Sequence, residues 1–227
     1  MPRRPRLMDP GSIYHLVIRG NNREAIFTSD RERREYLSLL LDATQRFKCI
    51  WYAYALMTNH AHLLGCAASD ASLSTVMQSV TGAYAQRFNR RHGRVGHVFQ
   101  GRFYSSRIHS DSYLLEAVRY IHLNPVRAGM VKEPSAYPWS SHRLYLSQYA
   151  ASMDFINTSL VLGHFRNADP CDERGGCSRF HEFVLEGLRH PVAVADLWRP
   201  IELLNSFPQG SVPQGEDRVH LKEHVGY

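Results

Sequence analysis

The tetrapeptide Asn59-His60-Ala61-His62 lies between the apolar run Ala53–Met57 and the pair Leu63-Leu64. This arrangement constrains the chain more than any other. Residues Cys49–Met57 and His60–Cys66 read as two strands joined by the tight turn Thr58-Asn59, a hairpin whose second arm carries both histidines. Side chains alternate faces along a strand, so His60 and His62 project from one side and their ring nitrogens converge, which is a chelate geometry. A His-x-His pair in a strand is by itself more often structural than metal-binding, and its weight depends on its surroundings.

Those surroundings have a definite order. Ser12–Arg19 alternates Ile13, His15 and Val17 against Tyr14, Leu16 and Ile18 between Gly11 and Gly20-Asn21-Asn22, a first strand. A helix follows, with Ser29 and Glu32 as a capping box and Tyr36, Leu37, Leu40, Leu41, Thr44 and Phe47 at helical spacing. A second helix is expected from near Ser72, with Leu73, Val76, Met77, Val80, Tyr84 and Phe88 on one face. Gly93 and Gly96 end it, and Val98–Arg107 is a fourth extended segment. The expected class is therefore α+β, a ferredoxin-like βαββαβ palm with an antiparallel sheet.

A third helix begins near Ser110 or Asp111 and is expected to stop around Asn124, because Pro125 disfavours helical geometry in the residue before it. Its core stripe is Leu114, Ala117, Val118 and Ile121. Tyr120 falls about 120° away from that stripe, near Tyr113 and one turn from Asn124. A lone tyrosine is usually a packing residue and an asparagine before proline is often a helix end, so neither decides anything alone. Residues 134–142 form a connector. The expected division is a domain over residues 1–145 and a mainly helical extension over 146–227, its spacing broken at Asp169–Gly176 and its tail loosely ordered from about Phe207.

Charge narrows the function. The net charge of +6 is uneven: residues 1–110 hold 16 Lys and Arg against 7 Asp and Glu, while residues 111–227 hold 11 against 14. No acidic residue occurs from Ala71 to Ser110, where Arg87, Arg90, Arg91, Arg94, Arg102 and Arg107 alternate with Tyr84, Phe88, Phe99, Phe103 and Tyr104. Arginine forks suit phosphates and aromatic faces suit unstacked bases, which favours nucleic acid over a solvated face. No Walker loop or dinucleotide-binding glycine pattern is present, which argues against a nucleotide-driven reaction. Four scattered cysteines, a start without an apolar leader and no apolar stretch of membrane-spanning length point to a cytoplasmic chain with reduced thiols and no membrane. The spacing of His164, Cys171, Cys177 and His181 does not fit a zinc knuckle.

Four ordered blocks carry a family resemblance: Tyr14–Arg23, Leu56–Leu64, Gly96–Ser105 and Arg119–Gly129. Across roughly residues 8–145 the chain closely resembles the REP-associated tyrosine transposases, IS200-like members of the single-tyrosine HUH superfamily. Thr58 departs from that pattern where proline is usual, and Ala61 where a bulkier apolar residue is usual. The resemblance implies that His60 and His62 are metal ligands, that Asn124 is a third ligand through its amide oxygen, and that Tyr120 is the nucleophile. The implied cofactor is Mg²⁺ or Mn²⁺. The implied partner is single-stranded DNA bearing imperfect, REP-like hairpins. Its expected contacts are Arg87, Arg90, Arg91 and Arg94 of the acid-free stretch, together with Arg19, Asn22, Arg23, Gln100, Arg102 and Arg127.

The expected activity is cleavage and rejoining of that DNA through a 5′-phosphotyrosine, by a monomer in preference to a homodimer and without ATP. Two other readings use the same residues. One is a domesticated protein that holds hairpin DNA or RNA without cutting. The other is a hydrolase in which the ion activates water and Tyr120 only stacks.

Overall fold

The computed structural model describes residues 8–67, 73–146, 155–166 and 173–189. The expected helix start at Ser72 and the expected tail beyond Phe207 lie outside the described residues. Four strands, β1 (Tyr14–Arg19), β2 (Cys49–Leu56), β3 (His60–Ala67) and β4 (Tyr104–Arg107), form one antiparallel sheet in the order β2-β3-β1-β4. This is the order a ferredoxin-like βαββαβ chain produces, since each helical crossover carries the next strand past its neighbour.

The register sorts side chains into two faces. Val17 lies opposite His62, Arg19 opposite His60, and Ala55 opposite His62, so His15, Val17, Arg19, His60, His62, Ala53 and Ala55 share one face. Tyr14, Leu16, Ile18, Ala61, Leu63, Tyr54 and Leu56 share the other, and they belong to the main core. Helices α1 (Asp30–Phe47) and α2 (Leu73–His92) pack against that second face. Phe27, Tyr36 and Tyr84 meet there with ring centroids 5.3 to 5.5 Å apart, edge-on or tilted as ring quadrupoles prefer. Gly65 is required by Trp51, because a Cβ there would stand 2.5 Å from the indole edge.

The capping box at Ser29 forms: Glu32 N–H donates to Ser29 Oγ, and Glu32 Oε2 accepts from the backbone of Ser29 and Thr28. The Thr58-Asn59 turn is held from outside. Ile26 N–H and Phe27 N–H both donate to Thr58 O at 2.9 and 3.0 Å, and Gly20 N–H donates to Asn59 O at 2.8 Å. Backbone ties thus hold the turn at the place where the common pattern has proline. Ala61 is fully buried between Ile18 and Leu56, which supply the apolar bulk it lacks.

Helix α3 (Asp111–Arg127) covers the histidine face, burying the expected stripe Leu114, Ala117, Val118 and Ile121. It does not stop at Asn124. Pro125 sits inside its last turn and is buried, and Ala128 N–H still donates to Asn124 O at 2.9 Å. Proline so near the C-terminus removes one intrahelical bond, and burial of the ring outweighs the local preference.

Two further corrections concern extent. Only Tyr104–Arg107 of the expected Val98–Arg107 strand joins the ladder. The earlier part contributes one bridge, Phe99 to Gly20, before Gly101 (φ 156°) redirects the chain. The break expected at Asp169–Gly176 ends sooner, since α6 (Glu173–Arg189) begins inside it. Between α3 and α6 lie α4 (His142–Leu146) and α5 (Ser159–Gly163). Tyr137, Ser141 and Tyr145 cover the open edge of β2, their hydroxyls bonding the backbone of Leu56, Tyr54 and Tyr52. An edge strand covered in this way offers no template for pairing with another chain.

Candidate active site

β1, β3 and α3 together place four aromatic side chains in one cluster. His60 and His62 have ring centroids 5.0 Å apart, and the ring of Tyr120 lies 5.5 Å from His62 and 6.2 Å from His15. His62 and His15 are buried, and His60 and Tyr120 are partly so. The Arg127 guanidinium, two turns after Tyr120 on the same helix, stands 5.6 Å from the Tyr120 ring centroid.

Hydrogen bonds settle which nitrogens remain available. His60 Nδ1 is 2.7 Å from Asn59 Oδ1, which leaves Nε2 as its outward nitrogen. His62 Nδ1 is 2.9 Å from His15 Nε2, and His62 Nε2 is buried with no hydrogen-bond partner. Burial holds all three rings neutral. The pKa of His15 falls to about 3; that of His60 falls to about 4, by burial and then by the charge of Arg19. The pKa of His62 lies well below the ordinary imidazole value, by burial first and then through His60, His15 and Arg19. Neutral imidazoles present lone pairs, so this face is a donor for cations and no resting place for protons. Asn124 Nδ2–H donates to Tyr120 O at 3.3 Å, which leaves the amide oxygen unused by that contact.

The other expected contacts divide into two groups. Arg19 is the cross-strand partner of His60; burial, then Arg23, lowers its pKa while Tyr120 raises it. Gln100 N–H donates to Arg19 O, and Arg23 O accepts from Asn59 Nδ2. Arg19, Asn22, Arg23 and Gln100 therefore gather around the end of β1 beside His60, and Arg102 is exposed shortly before β4. Asn22 and Arg23 adopt left-handed backbone, φ 49° and 60°, as the tight turn there demands.

Arg87, Arg90, Arg91 and Arg94 belong to α2 and its exit, in the layer on the other face of the sheet. Three of them are neutralised by carboxylates the local sequence lacks: Arg87 and Arg91 meet Glu35, Arg91 also meets Glu32, and Arg94 meets Glu24 at 2.5 Å. Arg90 is exposed, and among the described residues no ion pair engages it.

Sequence reasoning missed His15 and Asn59, the groups that hold the two histidines. The signal existed. His15 lies on the same strand face as Val17, and register, which no single strand reveals, brings that face to His62.

Residues 10–124 match the family described as Transposase IS200 like. The chain belongs to the IS200-like transposase family. Its fold matches a REP-associated tyrosine transposase solved bound to a REP hairpin, with a TM-score of 0.55 and 18% identity over 69% of this chain and 92% of that one. A Deinococcus radiodurans R1 protein provisionally assigned as a transposase aligns with a TM-score of 0.38 and 16% identity, over 50% of this chain and 91% of that one. No curated protein matches the transposase sequence. No described helix is long and apolar enough to cross a membrane.

Proposed function

We propose that this transposase cleaves and rejoins single-stranded DNA beside an imperfect hairpin, with Tyr120 as nucleophile. One observation carries the reading: the Tyr120 ring lies 5.5 Å from His62, whose buried Nε2 has no partner in the protein. A buried, unpaired ring nitrogen is costly unless something outside the protein binds it.

The donor set fits a divalent ion. His60 and His62 would hold it through Nε2, and Asn124 through its amide oxygen; the proposed ion is Mg²⁺ or Mn²⁺. Among the described residues no three His, Cys, Asp or Glu side chains are arranged to hold an ion, so the proposed third protein donor is an amide. When bound, such an ion supplies Lewis-acid polarisation of the scissile phosphate.

The chain's own residues do the rest. Tyr120 loses its phenolic proton to solvent and its oxygen attacks phosphorus, forming the 5′-phosphotyrosine while the 3′ oxygen leaves and takes up a proton. Attack by a 3′-OH on the phosphotyrosine reverses the step, so no ATP is consumed. Arg127, 5.6 Å from the Tyr120 ring centroid, is the proposed contact for the phosphate that Tyr120 attacks. Arg19, Asn22, Arg23, Gln100 and Arg102 are the proposed strand contacts at this mouth; Arg87, Arg90, Arg91 and Arg94 are the proposed stem contacts.

The substrate class draws support from the REP-associated tyrosine transposase of the same fold, which was captured on a REP hairpin. Residues 1–145 are the proposed transposase domain and 146–227 its extension, and the reaction is assigned to a cytoplasmic monomer. The matched span, 10–124, falls inside the first of these.

A hairpin-bearing oligonucleotide incubated with protein and Mn²⁺, then resolved on a denaturing gel, tests the reading. Wild type should form a covalent adduct. Tyr120→Phe should form none, while binding the oligonucleotide within about twofold of wild type because only a hydroxyl is removed. An adduct in the mutant, or an undiminished one in excess EDTA, overturns it. Binding without any adduct in wild type leaves the non-cleaving reading.

A further inference from the structure

The contact between His15 and His62 has chemical content beyond packing. β1 and β3 pair Val17 with His62 and His15 with Leu64, so the two histidines are diagonal neighbours on one face, a spacing that long side chains bridge. The rings are inclined by only 17°, with Nε2 of His15 2.9 Å from Nδ1 of His62, and both side chains are buried, at 0% and 2% exposure. The residues directly opposite His62 on its two neighbouring strands, Val17 and Ala55, are apolar.

One proton lies between the two nitrogens. If His15 donates it, the remaining proton of neutral His62 sits on Nε2 and closes that nitrogen to a cation. If His62 donates it, Nε2 presents a lone pair, while the remaining proton of neutral His15 sits on Nδ1, which is buried too. Burial therefore does not choose between the two arrangements, and the reading of His62 as a metal ligand selects the second. We infer that His15 is a positioning residue that holds His62 in the Nδ1–H tautomer with Nε2 free to bind a cation. The inference rests on the proposed reading of His62 as a metal ligand. The device is the usual outer-shell support of a ligating histidine, with an imidazole acceptor in the place of a carboxylate. It adds no negative charge to the site, so an ion held there would keep its full pull on phosphate oxygens.

Three proteins test the inference: wild type, His15→Leu, which fills the space without an acceptor, and His15→Gln, whose amide oxygen reaches the position of Nε2. Long-range proton–nitrogen NMR of the His62 ring in metal-free protein reads the tautomer. Wild type and H15Q should carry the proton on Nδ1, whereas H15L should lose that preference. Free Mn²⁺ measured by EPR should show affinity about 10- to 100-fold weaker in H15L and largely restored in H15Q. Thermal melts establish that each variant is folded, and if H15L is not, wild type and H15Q still decide the matter.

A wild-type His62 protonated on Nε2 overturns the inference, as does H15L binding Mn²⁺ as wild type does. Wild type that binds no Mn²⁺ removes the metal reading instead. The tautomer result then decides the role of His15 alone.

Discussion

Glu32 shows how much one side chain can hold together. It closes the N-terminal box of α1 through Oε2, and through Oε1 it accepts from His92 Nε2 at 2.6 Å and meets Arg91 at 3.5 Å, so it also ties the end of α2. Burial raises its pKa, but the bonds from His92 and Thr28 outweigh burial and hold it below the ordinary 4.5. A carboxyl depressed in the folded state contributes stability that is present above its unfolded value and lost as pH falls through the folded one. Urea melts of wild type should therefore weaken below about pH 4.5. Glu32→Gln should lose about 1–3 kcal/mol at pH 7 and show a shallower decline with acid. At the site, His60→Ala or His62→Ala should abolish adduct formation in Mn²⁺. Asn124→Ala should retain a measurable fraction, because water replaces an amide oxygen more readily than an imidazole; equal losses in timed adduct assays would count against an amide ligand.

At the scale of elements, whatever depends on local periodicity was legible. The β2-β3 hairpin, the capping box at Ser29, and the buried stripe of α3 with Tyr120 outside it all follow from spacings of two or of three to four residues. What could not be read depends on partners distant in sequence. Pro125 continues its helix because packing outweighs a local preference, and His15 reaches His62 only through strand register. The role of α6 was equally hidden. Arg119, buried in α3, pairs with Glu116, donates to Phe183 O at 3.3 Å and lies 4.2 Å from the Phe183 ring centroid. Gly187 lets the two helices touch: a Cβ there would be 2.8 Å from Arg119 Cδ and 2.9 Å from Leu123 Cδ1. Gly187 O also accepts from Arg127, the residue beside the Tyr120 ring. Gly187→Val should therefore cost about 1–3 kcal/mol by overpacking, and it should slow adduct formation by shifting Arg127 and α3. Urea melts and single-turnover assays read the two effects separately; a normal rate in a destabilised protein would mean that α6 braces the fold and leaves Tyr120 untouched.

For the whole molecule, the sheet separates two layers, with α1 and α2 on one face and the histidines, Tyr120 and α3 on the other. The stretch from Ala71 to Ser110 is acid-free in sequence, but α1 and the turn after β1 place Glu32, Glu35 and Glu24 against its arginines. The four arginines of α2 and its exit should therefore differ in effect. Arg91 is tied to two carboxylates, one of them buried, so Arg91→Ala should lower stability by about 1–3 kcal/mol with little change in salt dependence. Arg90 is exposed, and its Ala variant should remain within about 0.5 kcal/mol of wild type in stability. If it contacts a stem phosphate, the slope of log affinity against log salt for hairpin DNA should fall by about one, since one fewer phosphate is neutralised. Arg102→Ala, at the proposed strand mouth, should depress cleavage more than affinity. Anisotropy titrations across a salt series, paired with adduct assays, separate these outcomes. Identical slopes for wild type and Arg90→Ala would mean that the DNA does not cross the α2 surface and that the basic charge near the cleft alone holds it.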